Sequence, residues 1–182
     1  MTLSLAQPRR YIEWMSRQRP KRRWGTSKAW PPRWPSAPPG TDPRTLQEIE
    51  GIEWGPPTFS SHVVETCHAL RLKPLGSFSV EDLRILIGQS ESLPVLVPLA
   101  LMRLQEDPLA EGDFYSGDLL GSLLRLDGSF WTLHPEEHRA TREIARRALV
   151  TLLERAKLGE ADRTDAELIT STREFLDSID HR

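Results

Sequence analysis

Leu93-Pro94-Val95-Leu96-Val97-Pro98-Leu99-Ala100-Leu101 is the stretch on which the fold class turns. Its Val-Leu-Val run is the one place in the chain where a strand could hide, yet the apolar pattern continues at helical spacing toward Glu106. We read a helix over about 93–106, with Ser92 as candidate cap, Pro98 either kinking it or delaying its start, and Pro108 closing it. Directly after it comes Asp107-Pro108-Leu109-Ala110-Glu111-Gly112-Asp113-Phe114-Tyr115-Ser116-Gly117-Asp118, a compact acidic and aromatic turn. Leu119, Leu120, Leu123 and Leu124 then resume a two-sided helical pattern. An acidic turn on a packed helical support suits binding better than catalysis.

Working toward the amino end, Ser79 and Asp82 have the spacing of a capping box, and Val80, Leu83, Leu86 and Ile87 form an apolar stripe that stops near Gly88. Ser60 or Ser61 can cap an earlier helix in which Val63, Cys67 and Leu70 share a face, ending at Lys73-Pro74. Before it, Thr41 or Asp42 can cap, Pro43 fits a first helical position, and Leu46, Ile49 and Ile52 mark one face until Glu53-Trp54-Gly55-Pro56-Pro57 forces a turn. Toward the carboxyl end, Phe130-Trp131 form an aromatic plug. Pro135 opens a long helix through Ile144, Ala148 and Leu152 to Gly159. A last stripe of Leu168, Ile169, Thr172, Phe175, Leu176 and Ile179 has the cleanest helical period of all. With no alternating strand pattern and no Asn-Gly hairpin signal, the expected fold is all-α, an irregular bundle of about seven helices preceded by a disordered basic tail.

The 182 residues divide by composition into a tail, residues 1–40, and a helical domain, residues 41–182. The formal charge of −2 hides an asymmetry: Met1 to Gly40 holds nine Lys or Arg against the single acid Glu13, so the tail carries +8 and the remainder −10. An acidic domain favours basic partners and repels nucleic acid. Seven prolines and four tryptophans in the tail predict extended, solvated chain. Basic residues interleaved with aromatics could there bind single-stranded nucleic acid or an anionic membrane surface, the plainer reading being an extension without function. Cys67 is the only cysteine, which excludes an intramolecular disulfide and a cysteine-rich zinc site. No apolar run approaches the ~20 residues of a membrane helix, and no export signal is legible, so a cytoplasmic protein is expected.

Catalytic patterns are weak. His62, Cys67 and His68 lie close in sequence, but neighbouring positions point about 100° apart on a helix and Cys67 falls on the apolar stripe. His134 and His138 have a zinc-compatible spacing without an evident third ligand. Carboxylate pairs such as Glu111 with Asp113, or Glu136 with Glu137, are common surface features. No phosphate-binding glycine loop or metalloprotease motif is present. No enzyme, cofactor or metal site is expected.

Five blocks in order carry a resemblance: Gly51-Ile52-Glu53-Trp54-Gly55-Pro56-Pro57, Cys67-His68-Ala69-Leu70-Arg71-Leu72-Lys73-Pro74-Leu75, Glu81-Asp82-Leu83-Arg84-Ile85-Leu86-Ile87-Gly88-Gln89, Leu96-Val97-Pro98-Leu99-Ala100-Leu101 and Glu111-Gly112-Asp113-Phe114-Tyr115-Ser116-Gly117-Asp118-Leu119-Leu120. Over about residues 46–131 the chain resembles the immunity proteins of bacterial contact-dependent growth inhibition systems. It departs from them at Ser92, where a Gly is expected, and at Ser116, where a Pro is expected. The resemblance implies a small cytoplasmic protein that binds and neutralises the C-terminal toxin domain, often a nuclease, of a cognate large effector. Glu106, Asp107, Glu111, Asp113 and Asp118 would supply charge to that contact, with Phe114 or Tyr115 as anchor. Each has a structural alternative: Asp118 as cap of the helix through Leu124, Phe114 as core, Glu106 and Asp107 as the wet end of a helix. Trp54 and Trp131 read as core aromatics, and Arg71, Lys73 and Arg84 as cations that could pair with the acidic turn instead of facing a partner. The rival reading is a nucleic-acid-binding or regulatory protein acting through residues 1–40, and a third is a helical scaffold.

Overall fold

The structure, a computed structural model, describes residues 42–57 and 61–178. These belong to one of the two units into which the chain divides, residues 37–182. The expectation for residues 1–40 lies outside the described residues, as does Ile179. Eight α-helices and no strand occur among the described residues: α1 Leu46–Glu50, α2 His62–Arg71, α3 Val80–Gly88, α4 Leu93–Glu106, α5 Asp118–Leu124, α6 Gly128–Leu133, α7 Pro135–Leu158 and α8 Arg163–Asp177, with a 3-10 turn at Leu75–Ser77. Val95-Leu96-Val97 is helical, and α4 runs unbroken through Pro98. A proline there removes one hydrogen bond, and a helix whose Val95, Leu96, Val97, Ala100, Leu101 and Leu104 are all buried tolerates that loss.

Three expectations are corrected. The first helix begins at Leu46, capped reciprocally by Thr45 and Glu48, rather than at Thr41 or Asp42. Asp42 is used otherwise: its carboxylate accepts from the Arg44 amide and guanidinium, and its carbonyl and that of Arg44 accept from Gly76 and Leu75. That pairing keeps residues 42–44 outside the helix. In α2 the buried positions are Val64, Cys67, Leu70 and Arg71, while Val63 is exposed. Cys67 and Leu70 keep the expected face, Val64 takes the place expected for Val63, and Arg71 widens the buried face. The aromatic plug is itself a helix, α6, capped by Asp127, which brings the number to eight.

Packing follows the apolar stripes. α3 lies against α4 and α5, α4 against α7, and α7 folds back on α8 through the turn after Gly159, while α8 also meets α5. Leu83, Leu86, Ile87, Leu96, Leu104, Leu119, Leu120, Leu123 and Leu152 are almost wholly buried at the centre. Trp131 is buried, and Trp54 is half-buried under the Arg71 guanidinium, 4.2 Å from its ring centroid. Ser92 has φ +47°, a left-handed backbone that favours glycine and gives a physical basis for the family's expected Gly at this position. No described helix is long and apolar enough to cross a membrane.

The zinc-spaced histidines are engaged in ring packing. His134 stacks on Phe130 at 4.4 Å, and His138 meets Trp131 at 5.3 Å and Phe175 at 5.5 Å. Burial, helped by Arg142, holds His138 below the ordinary 6.5, and burial with Arg71 does the same for His68. The unfolded chain therefore takes up these protons at a higher pH than the fold does. Their contribution to stability is whole above pH 6.5 and is lost as pH falls through the lowered folded-state values. Thermal melts are expected to show Tm declining from about pH 7.5 to about 5.5, with a flatter decline in His138→Gln.

Candidate functional site

The acidic turn is built from the inside by its own backbone and two carboxylates. At the end of α4, Asp107 Oδ1 accepts the Leu109 amide at 2.9 Å and turns the chain, and Leu109 and Ala110 tuck into the core. The Gly117 amide donates back to the Leu109 carbonyl at 2.9 Å, closing the loop. Gly117 has φ +85°, a backbone strained for any other residue, and a Cβ on it would stand 2.6 Å from Leu168 Cδ2 of α8, which would have to shift. Asp118, 1% exposed, lies beneath the turn: its Oδ1 accepts the Gly112 amide at 2.8 Å and its Oδ2 the Phe114 amide at 3.2 Å. A Cβ on Gly112 would collide with Glu81 at 2.6 Å and Asp118 at 2.9 Å.

Helix α3 supplies the second support. Glu81 Oε2 accepts the Asp113 amide at 3.0 Å and the Arg84 Nε at 2.6 Å. Arg84 lies 3.8 Å from Asp118 and places its guanidinium 4.4 Å from the Phe114 ring centroid. The Arg84 hydrogen bond, aided by the Asp113 amide, holds Glu81 below the usual carboxylate range against the opposing effect of its partial burial. Arg84 is held correspondingly high, first by Glu81. Both stay charged throughout the physiological range.

Among the residues expected at the site, Glu106, Asp107, Glu111, Asp113 and Phe114 are exposed, Tyr115 is half-buried and Asp118 is buried. Phe114 is 68% exposed and is no part of the core. Asp118 is the first residue of α5, with Gly117 in the cap position, and its carboxylate holds the turn from within. Glu111 and Asp113 have no ion-pair partner among the described residues. Arg84 does pair with the acidic turn, whereas Arg71 pairs with Glu50 and Glu91, and Lys73 with Asp82.

Beside the turn lies an open cleft that sequence reading did not foresee. Glu111, Phe114 and Tyr115 form one wall, and Glu160 and Asp162 of the α7–α8 turn form the other. Arg155 crosses between them, 3.5 Å from Asp165 and donating to Ser116 Oγ at 3.4 Å. In sequence, Glu160-Ala161-Asp162 after the Gly159 stop is an ordinary polar linker, and only the docking of α8 on α5 brings it opposite Glu111. The cleft presents carboxylate acceptors and an aromatic ring, an arrangement for holding cations by charge. Cys67 is wholly buried in α2, and among the described residues no group of three or more side chains could hold a metal ion.

Compared with known proteins, residues 48–141 match the family model of CDI immunity proteins. No curated protein and no solved structure matches the chain. The matched segment takes in Glu81, Arg84 and the entire acidic turn through Asp118, and it covers just over half of the 182 residues. The chain belongs to the CDI (contact-dependent growth inhibition) immunity protein family.

Proposed function

We propose that this protein neutralises the C-terminal toxin domain of a cognate contact-dependent growth inhibition effector by laying its acidic turn over a basic surface of that domain. It acts by binding, in the cytoplasm, and the toxin is a nuclease. The observation that carries the reading is the display of two exposed carboxylates, Glu111 and Asp113, beside the exposed Phe114 on a support pinned by Glu81, Arg84 and Asp118. A turn already fixed in place loses little conformational freedom on binding. A nuclease carries positive charge where it grips phosphates, so an acidic surface both steers the encounter and fits the site.

Coexpression of the full chain with the toxin domain of the neighbouring effector is expected to restore growth and to yield a stable complex. Charge reversal of both Glu111 and Asp113 to Lys should weaken that complex by about 10- to 100-fold, chiefly through slower association, with a reduced salt dependence. Unchanged affinity in the double variant would remove the acidic turn from the interface. Deleting residues 1–40 should leave inhibition intact; loss of function on that deletion would favour the nucleic-acid reading of the tail.

A further inference from the structure

From the cleft geometry we infer that the toxin-binding surface extends from the acidic turn to the α7–α8 turn, and that Glu160 there is a specificity-determining contact for a basic segment of the toxin. This rests on the proposed immunity function and names the second wall of its site. The family match stops at residue 141, within α7, so Glu160 and Asp162 lie beyond it.

Three separate features support the extension. The first is concavity: Glu111, Phe114 and Tyr115 face Glu160 and Asp162 across one cleft. The second is charge. Arg155, 3.5 Å from Asp165 and also acting on Asp162, is the single cation among lining residues that include the carboxylates of Glu111, Glu160, Asp162 and Asp165, which leaves the cleft net negative. Asp162 caps α8 and is held ionised by the Thr164 hydroxyl and the Asp165 amide, whereas exposed Glu160 has no ion-pair partner among the described residues. The third is Phe114, a large aromatic left 68% exposed at the lip while Arg84 fixes its ring. An exposed anchored aromatic beside acids suits an arginine or lysine side chain, which gains charge-assisted hydrogen bonds from the rim and a ring contact from Phe114.

The two walls are also mechanically joined. Arg155 ties Ser116 to Asp165, and Leu168 packs closely against Gly117. The Glu160 amide closes α7 by donating to the Arg155 carbonyl, which sets where its side chain leaves the turn. A toxin segment that enters the cleft therefore meets residues within the family match, Glu111 and Phe114, and residues beyond it, Glu160 and Asp162.

The test is calorimetric titration of the full chain with the catalytically inactivated toxin domain of the neighbouring effector. Glu160→Lys should bind about 10-fold more weakly at low salt, with the deficit shrinking as salt rises and with Tm unchanged. Glu143→Lys, on α7 outside the cleft, serves as the control for net charge. Equal weakening by Glu143→Lys would overturn the inference, as would binding by Glu160→Lys within about twofold of the unaltered chain. If Asp113→Lys still weakens binding in that last case, the immunity reading stands and only the extension fails; if neither variant weakens it, the acidic-turn reading fails as well.

Discussion

Replacing Arg71 with Met is expected to destabilise the fold by about 3–5 kcal/mol, the largest effect of any single polar substitution in this chain. Arg71 is 1% exposed at the end of α2, yet it carries a full charge. Its guanidinium pairs with Glu50 at the end of α1 and lies 3.8 Å from Glu91, which is itself buried. It also donates to Ser92 Oγ at 3.1 Å and covers the Trp54 ring. One side chain thus joins α1, α2, the start of α4 and the Trp54 segment. Met matches the length but removes the cation that Glu50 and the buried Glu91 share, and weakening the compensation of a buried carboxylate is costly. Urea unfolding should show the loss in the midpoint with little change in slope. The double variant Arg71→Met with Glu91→Gln should recover part of it, because the charge left behind is then gone. A single variant within about 1 kcal/mol of the unaltered protein would show that Arg71 contributes no more than an exposed pair does.

Asp118→Ala should cost about 3 kcal/mol and, unlike Arg71→Met, should also cost function directly. Its carboxylate is the acceptor for the Gly112 and Phe114 amides, and each donor left unsatisfied costs about 1–3 kcal/mol. Arg84 would keep Glu81 as partner, so the damage should centre on residues 112–114. With the turn loosened, its ordering would be charged against toxin binding, and affinity should fall by about 100-fold. Hydrogen exchange at the Gly112 and Phe114 amides should accelerate, and Asp118→Asn, which keeps one acceptor, should fall between. Unchanged exchange at those amides would show that the turn is held by other contacts.

Periodicity made most helices legible. The Ser79–Asp82 box, the Gly159 stop and the Leu168–Phe175 stripe are local signals that the fold obeys, because each is satisfied within one or two turns of chain. The failures have the opposite character. Thr45 rather than Asp42 caps α1 because Asp42 is held by Arg44 and by Gly76, and the buried face of α2 takes in the charged Arg71 because Glu50 and Glu91 meet it there. Pairings over twenty or thirty residues are not encoded in spacing.

The same division applies to the site. From sequence alone came the all-α class, the family, and the acidic, aromatic turn between Asp107 and Asp118, since hydrophobic period and residue identity are local properties. Only the tertiary structure decided that Asp118 is an internal brace while Asp113 and Phe114 face outward, because burial depends on what Glu81 and Arg84 of α3 bring beneath the turn. Only it set Glu160 across a cleft from Glu111, since that meeting requires α8 to pack on α5.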